Sequence, residues 1–294
     1  MPRANRPADR ARRSERSGGR LRAVALTWTA TQPARGRILL LHGVMSSVGT
    51  WHRIGAELAS RGWDCLAVDL PGHGSAPRVR GSLDLDTLVG DVLTQLAAPA
   101  DIVIGHSLGG IVALALAGRV CDGVRALVLE DPPGLRGVDT DALRAQIAVD
   151  AATARADLDA LRRRERAANP RWSDADVEQS VAGVADAQAD AVVDALAGPL
   201  RWNLYAMISA ERRPLLVLAG REVQGMFPFA NGGSALNGRD RADVRRLLSD
   251  DRFVEIDGRH CLHRDAPDRW LAAVAKFIEP IGRDDRSALP ARRL

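Results

Sequence analysis

Hydrophobic positions along the chain follow two spacings that take turns. Ile38-Leu39-Leu40-Leu41, Cys65-Leu66-Ala67-Val68, Ile102-Val103-Ile104 and Leu215-Leu216-Val217-Leu218-Ala219 are apolar without interruption. Short continuous runs of this kind predict strands buried on both faces of a parallel sheet. Val124–Leu129 and Phe253–Ile256 predict two more. Between the runs, apolar residues recur at helical spacing: Ile54, Leu58 and Ala59; Leu85, Leu88, Val92 and Leu96; and Leu271, Val274, Ala275 and Ile278 behind Pro267. Residues 20–31 alternate instead, with Leu21, Ala23, Ala25 and Trp28 among polar positions, the pattern of an edge strand. Strands and helices in this rhythm mean an α/β fold with a mostly parallel central sheet and right-handed crossovers.

The rhythm breaks between residues 135 and 211. That segment has no strand-like run and two or three Ala-rich helical stretches, in which Leu143, Ile147, Leu158 and Leu161 share one face. Ser173 and Asp176 form the two ends of a capping box. We read 135–211 as a helical lid inserted above the sheet, with 21–134 and 212–282 as the core. Trp172, Trp202 and Tyr205 supply its bulk and are the candidate pocket roof. Gly225–Gly238 is Gly-rich and carries no readable structure; a helix is expected near 239–249.

The chemistry centres on Gly105-His106-Ser107-Leu108-Gly109, which closes one apolar run and opens the helix Gly110–Ala117. Strand, five-residue turn and helix in that order make a nucleophile elbow. The turn strains the serine and lifts its hydroxyl above the sheet, and side chains at 105 or 109 would collide there. The following helix aims its first N–H groups and positive dipole end at the same place.

Composition narrows the setting. The chain has 294 residues, enough for one sizeable core, of which 46% are hydrophobic and 27% charged. No apolar run is long enough to span a bilayer, and the first twenty residues lack the apolar stretch of a secretory signal. Cys65, Cys121 and Cys261 lie far apart and in odd number, which argues against a disulfide framework or a zinc site and suits the cytoplasm. The positive balance belongs to the ends: residues 1–20 carry +5 and 283–294 carry +2, so the body carries −3 of the total +4. Such Arg-rich ends without aromatics read as disordered tails, not as a nucleic-acid or membrane surface.

Taken together, these motifs resemble the α/β-hydrolase family over roughly residues 21–280. The resemblance rests on His42-Gly43 with Ser46 and Trp51, on Asp69-Leu70-Pro71-Gly72-His73-Gly74-Ser75, on the elbow, and on Gly258-Arg259-His260 before the last helix. It implies Ser107 as nucleophile, His260 as base with His263 its rival, and an oxyanion hole from the backbone N–H groups of Val44 and Leu108. His106, His42 and His73 take structural roles in this reading. The acid departs from the family pattern, because its usual position holds Val223. Asp131, at the end of the strand after the elbow helix, is favoured over Glu222. A serine at the elbow excludes the branches that need a carboxylate nucleophile, and the resemblance implies no metal or cofactor. The expected activity is hydrolysis of a small or medium ester, thioester or lactone, with a small molecule as partner. Carbon–carbon bond hydrolysis or perhydrolysis by the same residues is the alternative; a non-catalytic ligand-binding protein, suggested by Val223, is the second.

Overall fold

Alternation along each strand decides what the two faces of the sheet pack against. The computed structural model describes residues 25–120, 123–136, 139–222 and 233–281. Among them, β1 (Ala25–Trp28), β2 (Gly36–Leu41), β3 (Trp63–Val68), β4 (Ile102–His106), β5 (Ala126–Glu130), β6 (Leu215–Gly220) and β7 (Phe253–Ile256) form one sheet. Its order is β1-β3-β2-β4-β5-β6-β7. β1 is the edge strand its alternation predicts and runs antiparallel to β3; the other pairs are parallel.

Ile38, Leu40, Ile102, Ile104, Val128, Leu216 and Leu218 face α1 (His52–Ser60) and α11 (Pro267–Ile278), where Ile54, Leu58, Trp270 and Val274 meet them. Leu39, Leu41, Val103, Leu127, Leu129 and Val217 face the other way, toward α2 (Leu85–Gln95), α3 (Leu108–Arg119) and the helices inserted after β5. Most of these side chains are fully buried. At about 1.5–3 kcal/mol for each large apolar side chain, the two layers are the main drive for the fold. The parallel register brings the C-terminal ends of β2, β4, β5 and β6 to one edge of the sheet.

Among the described residues five helices, not two or three, connect β5 to β6: α4 (Thr140–Ala156), α5 (Leu158–Ala168), α6 (Asp174–Asp186), α7 (Ala189–Ala197) and α8 (Leu204–Ala210). The extra breaks come from caps. Asp157 ends α4 and caps α5, accepting from the Ala160 N–H; the Ser173–Asp176 capping box starts α6; Asn203 caps α8. The break at 157 resets the helical phase, so Ile147 and Leu161 are buried while Leu158 is 40% exposed and leaves the shared face. After β6 come α9 (Gly238–Leu247) and, beyond β7, the short α10 (Leu262–Asp265). Among the described residues no helix is long and apolar enough to cross a membrane. The segments 1–20 and 283–294, Cys121, Val223 and most of the Gly-rich 225–238 stretch lie outside the described residues.

The elbow depends on two glycines. A Cβ at Gly105 would lie 2.2 Å from Gly109 O, and one at Gly109 would lie 2.3 Å from Leu41 O, both backbone atoms that cannot turn aside. Gly109→Ala is therefore expected to cost at least about 3 kcal/mol in urea unfolding. Gly118→Ala in the same helix, where a Cβ meets nothing within 4 Å, should gain up to about 1 kcal/mol. Equal effects at the two positions would contradict the packing described.

Candidate active site

Ser107 leaves β4 with φ 53° and ψ −121°, a backbone conformation rare for a residue with a side chain. Its N–H donates to Glu130 O (2.9 Å), and its carbonyl accepts from Gly110 N–H (2.9 Å), so the strain is held by the neighbouring strand and the new helix. Leu108 is the first residue of α3, where a helix leaves its N–H groups unpaired. The loop after β2 passes against this turn: a Cβ on Gly43 would sit 3.0 Å from Ser107 Cβ. The next residue, Val44, lines the cleft above it. The Ser107 hydroxyl makes no hydrogen bond with a described residue.

Buried polar groups lock the β2 loop. His42 Nδ1 donates to Gly43 O (2.8 Å), and Nε2 accepts from Leu70 N–H (3.0 Å), so both ring nitrogens are satisfied only when the ring is neutral. Burial lowers its pKa to about 4. Asp69 accepts from Val48 N–H and Ser75 N–H, both at 2.8 Å, and ties this loop to the 71–75 turn. His73 Nδ1 donates to Pro71 O at 3.0 Å, and burial takes its pKa down to about 3. These two histidines hold loops, as expected.

Asp131 and His260 meet. His260 Nδ1 lies 2.7 Å from Asp131 Oδ2, with both side chains buried. Asp131 itself has φ 46°, and its N–H donates to Leu218 O at 2.7 Å. Its carboxylate also accepts from Ala235 N–H (2.6 Å), from Ser234 Oγ and, weakly, from Gly220 N–H (3.4 Å). Ser234 was missed in the sequence, where it sits inside the Gly-rich stretch. Arg241 fastens that stretch by donating to Gly220 O (2.9 Å) and Leu236 O (3.0 Å).

Glu222 is elsewhere. Its half-exposed carboxylate pairs with Arg171, and its main chain bonds to Gly258 and Ser234. His263 is engaged at both ring nitrogens, by Glu130 at Nδ1 (2.8 Å) and Thr50 Oγ1 at Nε2 (2.7 Å). Trp270 Nε1 completes that buried group by donating to Glu130 at 2.9 Å. His106 lies between the two imidazoles, tilted against His260 at 4.6 Å and edge-to-face with His263 at 5.2 Å, and donates from Nε2 to His260 O (3.2 Å). Burial holds its pKa well below the usual value, so a neutral ring props the His260 backbone. Burial raises the Cys261 thiol, so it is no thiolate nucleophile at neutral pH.

A cleft open to solvent lies between the β2 loop, the 259–265 segment and helices α4 to α6. His260 and Val44 line it, and so does Trp172. Trp202 and Tyr205 do not, which corrects the expected roof. Trp202 Nε1 donates to Pro133 O (2.7 Å) and pins α8 to the end of β5, while Tyr205 is 43% exposed. Polar residues of α4 to α6 and the turn between them, among them Asp150, Glu165, Asn169 and Ser180, take their place.

Residues 38–274 match the family model described as the alpha/beta hydrolase family. An esterase of Mycobacterium tuberculosis is 42% identical over 112 residues, which are 36% of this chain and 35% of that one. The chain thus spans about a third of the length of that relative. The 2-succinyl-6-hydroxy-2,4-cyclohexadiene-1-carboxylate synthase of Klebsiella pneumoniae is 28% identical over 84% of this chain and 95% of its own length. Among solved structures, E-2-(acetamidomethylene)succinate hydrolase superposes with a TM-score of 0.66 at 20% identity, covering 87% of this chain and 94% of that one.

The lowered histidines set a pH dependence. With folded values of about 4 for His42 and about 3 for His73 against 6.5 in the unfolded chain, the unfolded state binds more protons below pH 6.5. Stability therefore falls as pH drops from 6.5 toward 4, by up to about 3 kcal/mol for His42 alone. Urea unfolding at pH 7.5 and pH 4.5 should show that loss, reduced in His42→Gln. A flat profile would contradict neutral, buried imidazoles.

Proposed function

The chain belongs to the alpha/beta hydrolase family, and we propose that it is a serine hydrolase cleaving a small or medium ester, thioester or lactone. The observation that carries this reading is the 2.7 Å contact of His260 Nδ1 with the buried Asp131 carboxylate, in a chain that also holds Ser107 in the strained backbone of an elbow. In this reading Asp131 keeps the ring proton on Nδ1, leaving Nε2 free as a base. Ser107 Oγ attacks the substrate carbonyl while its proton passes to Nε2, and the new oxyanion takes hydrogen bonds from the Val44 and Leu108 N–H groups. Collapse of this intermediate expels an alkoxide or thiolate, which takes the proton back from His260. Water, deprotonated by the same nitrogen, then adds to the acyl-enzyme; its collapse releases the acid and restores Ser107. The relative named as an esterase supports the bond type over the third of its length that aligns.

One observation favours a second reading. A relative that aligns over 95% of its own length is named a synthase, so in the second reading the same residues serve a reaction other than transfer of an acyl group to water. Transfer of oxygen from 18O-labelled water into the product separates the two, because only hydrolysis incorporates it.

A fluorophosphonate probe read by intact mass should add one adduct to the wild type and none to Ser107→Ala. Asp131→Asn is expected to lower kcat/KM by about 10³–10⁴-fold, the scale seen when an acid that orients the base is neutralised. Glu222→Gln should stay within about threefold, since an exposed ion pair contributes little. The reverse ranking of these two variants would overturn the assignment of the acid.

A further inference from the structure

Arg264 is a buried cation that makes no ion pair with a carboxylate among the described residues. It is 4% exposed and lies on α10, four positions after His260, lining the same cleft. Its Nη2 donates to Thr50 Oγ1 at 2.8 Å, its Nε has no partner, and its guanidinium sits 4.7 Å from the Trp172 ring. Among the described residues no carboxylate oxygen comes within ion-pair distance of it. A guanidinium taken out of water costs several kcal/mol unless an anion meets it.

The acidic residues of the cleft make their hydrogen bonds and ion pairs with other groups, although the Arg264 charge does act on Glu165. Asp150 pairs with Arg164 at 2.7 Å. Glu165 accepts from Ser180 Oγ at 3.1 Å, and burial raises its carboxyl toward the neutral form. Asp265 accepts from Trp172 Nε1 and from Arg259 N–H, both at 2.7 Å. Arg259 spends its own Nη2 on Ala168 O and Asn169 Oδ1.

We propose that Arg264 is an anion subsite, and that the substrate carries a carboxylate a few bonds from the carbonyl that reacts at Ser107. The word substrate rests on the hydrolase reading; the subsite does not. A planar fork with open donors matches a carboxylate in two-pronged fashion. The subsite also gives the second histidine–carboxylate pair a purpose. Glu130 accepts from His263 Nδ1, His263 Nε2 accepts from the Thr50 hydroxyl, and Thr50 Oγ1 is left to accept from Arg264. Thr50 and His263 are thus positioning residues that fix the guanidinium.

Monoethyl esters of glutarate and adipate should be compared with ethyl pentanoate and ethyl hexanoate, which replace the distal carboxylate by methyl. The wild type should favour the acidic partner of each pair in kcat/KM by at least about tenfold, the worth of one hydrogen bond to a charged group. Arg264→Gln should abolish that preference, Arg264→Lys should keep part of it, and Thr50→Val should weaken it with the charge still present. Calorimetric binding of free glutarate and adipate, lost in Arg264→Gln, reads the subsite without catalysis. A wild type that prefers the neutral esters, or a preference that neither Arg264 variant moves, overturns the proposal. So does failure of the wild type to bind either dicarboxylate. Binding that needs Arg264 while no ester is hydrolysed upholds the subsite and removes the hydrolase reading instead.

Discussion

Two neighbouring carboxylates at the end of β5 organise this molecule. Glu130 and Asp131 are fully buried, and successive residues leaving a strand project to opposite sides. Each meets a histidine from the segment after β7: Glu130 holds His263, and Asp131 holds His260. A buried charge is costly unless several donors surround it, and here each has them. Trp270 Nε1 and the His263 N–H serve Glu130, while Ser234, Ala235 and the β6 end serve Asp131. The 260–263 segment is thereby pinned at both ends, which holds the His260 imidazole, from a distant part of the chain, beside the elbow residue His106.

The remaining features of the site answer to the same constraint. Asp131 reaches its position through a positive φ, as Ser107 does, and both main chains are braced by hydrogen bonds to the adjacent strand. His106 bridges the two histidine groups and bonds to the His260 carbonyl. The strain of the turn is small beside the burial of the two apolar layers that carry it. A sheet that packs on both faces is rigid, and rigidity is what keeps a strained serine and an imidazole in register.

Much of this was legible in the residues, for physical reasons that differ. Strands buried on both faces show as continuous apolar runs, and the β2, β3, β4 and β6 runs fall where they were expected. The elbow glycines, the capping box at Ser173 and the proline opening α11 leave local marks that need no tertiary information. Val223 at the position where the resemblance expects the acid turns the choice from Glu222 to Asp131, and the place of Asp131 at the end of β5 brings it to His260. Ser234 and Arg241 were not legible, because their partners are many tens of residues away or in a stretch without periodicity. The same holds for the cleft wall. Aromatic bulk pointed to Trp202 and Tyr205, yet polar side chains of α4 to α6 line the space, since facing a cavity depends on how helices pack and not on residue size.

The central claim is that Asp131 acts on the reaction through His260. A double-mutant cycle on kcat/KM, with Asp131→Asn, His260→Ala and the pair, tests it most directly. If the two form one unit, the pair is no slower than His260→Ala alone, because removing the imidazole has already removed what Asp131 orients. Losses that multiply in the pair would mean that Asp131 contributes independently of His260, and would contradict the account.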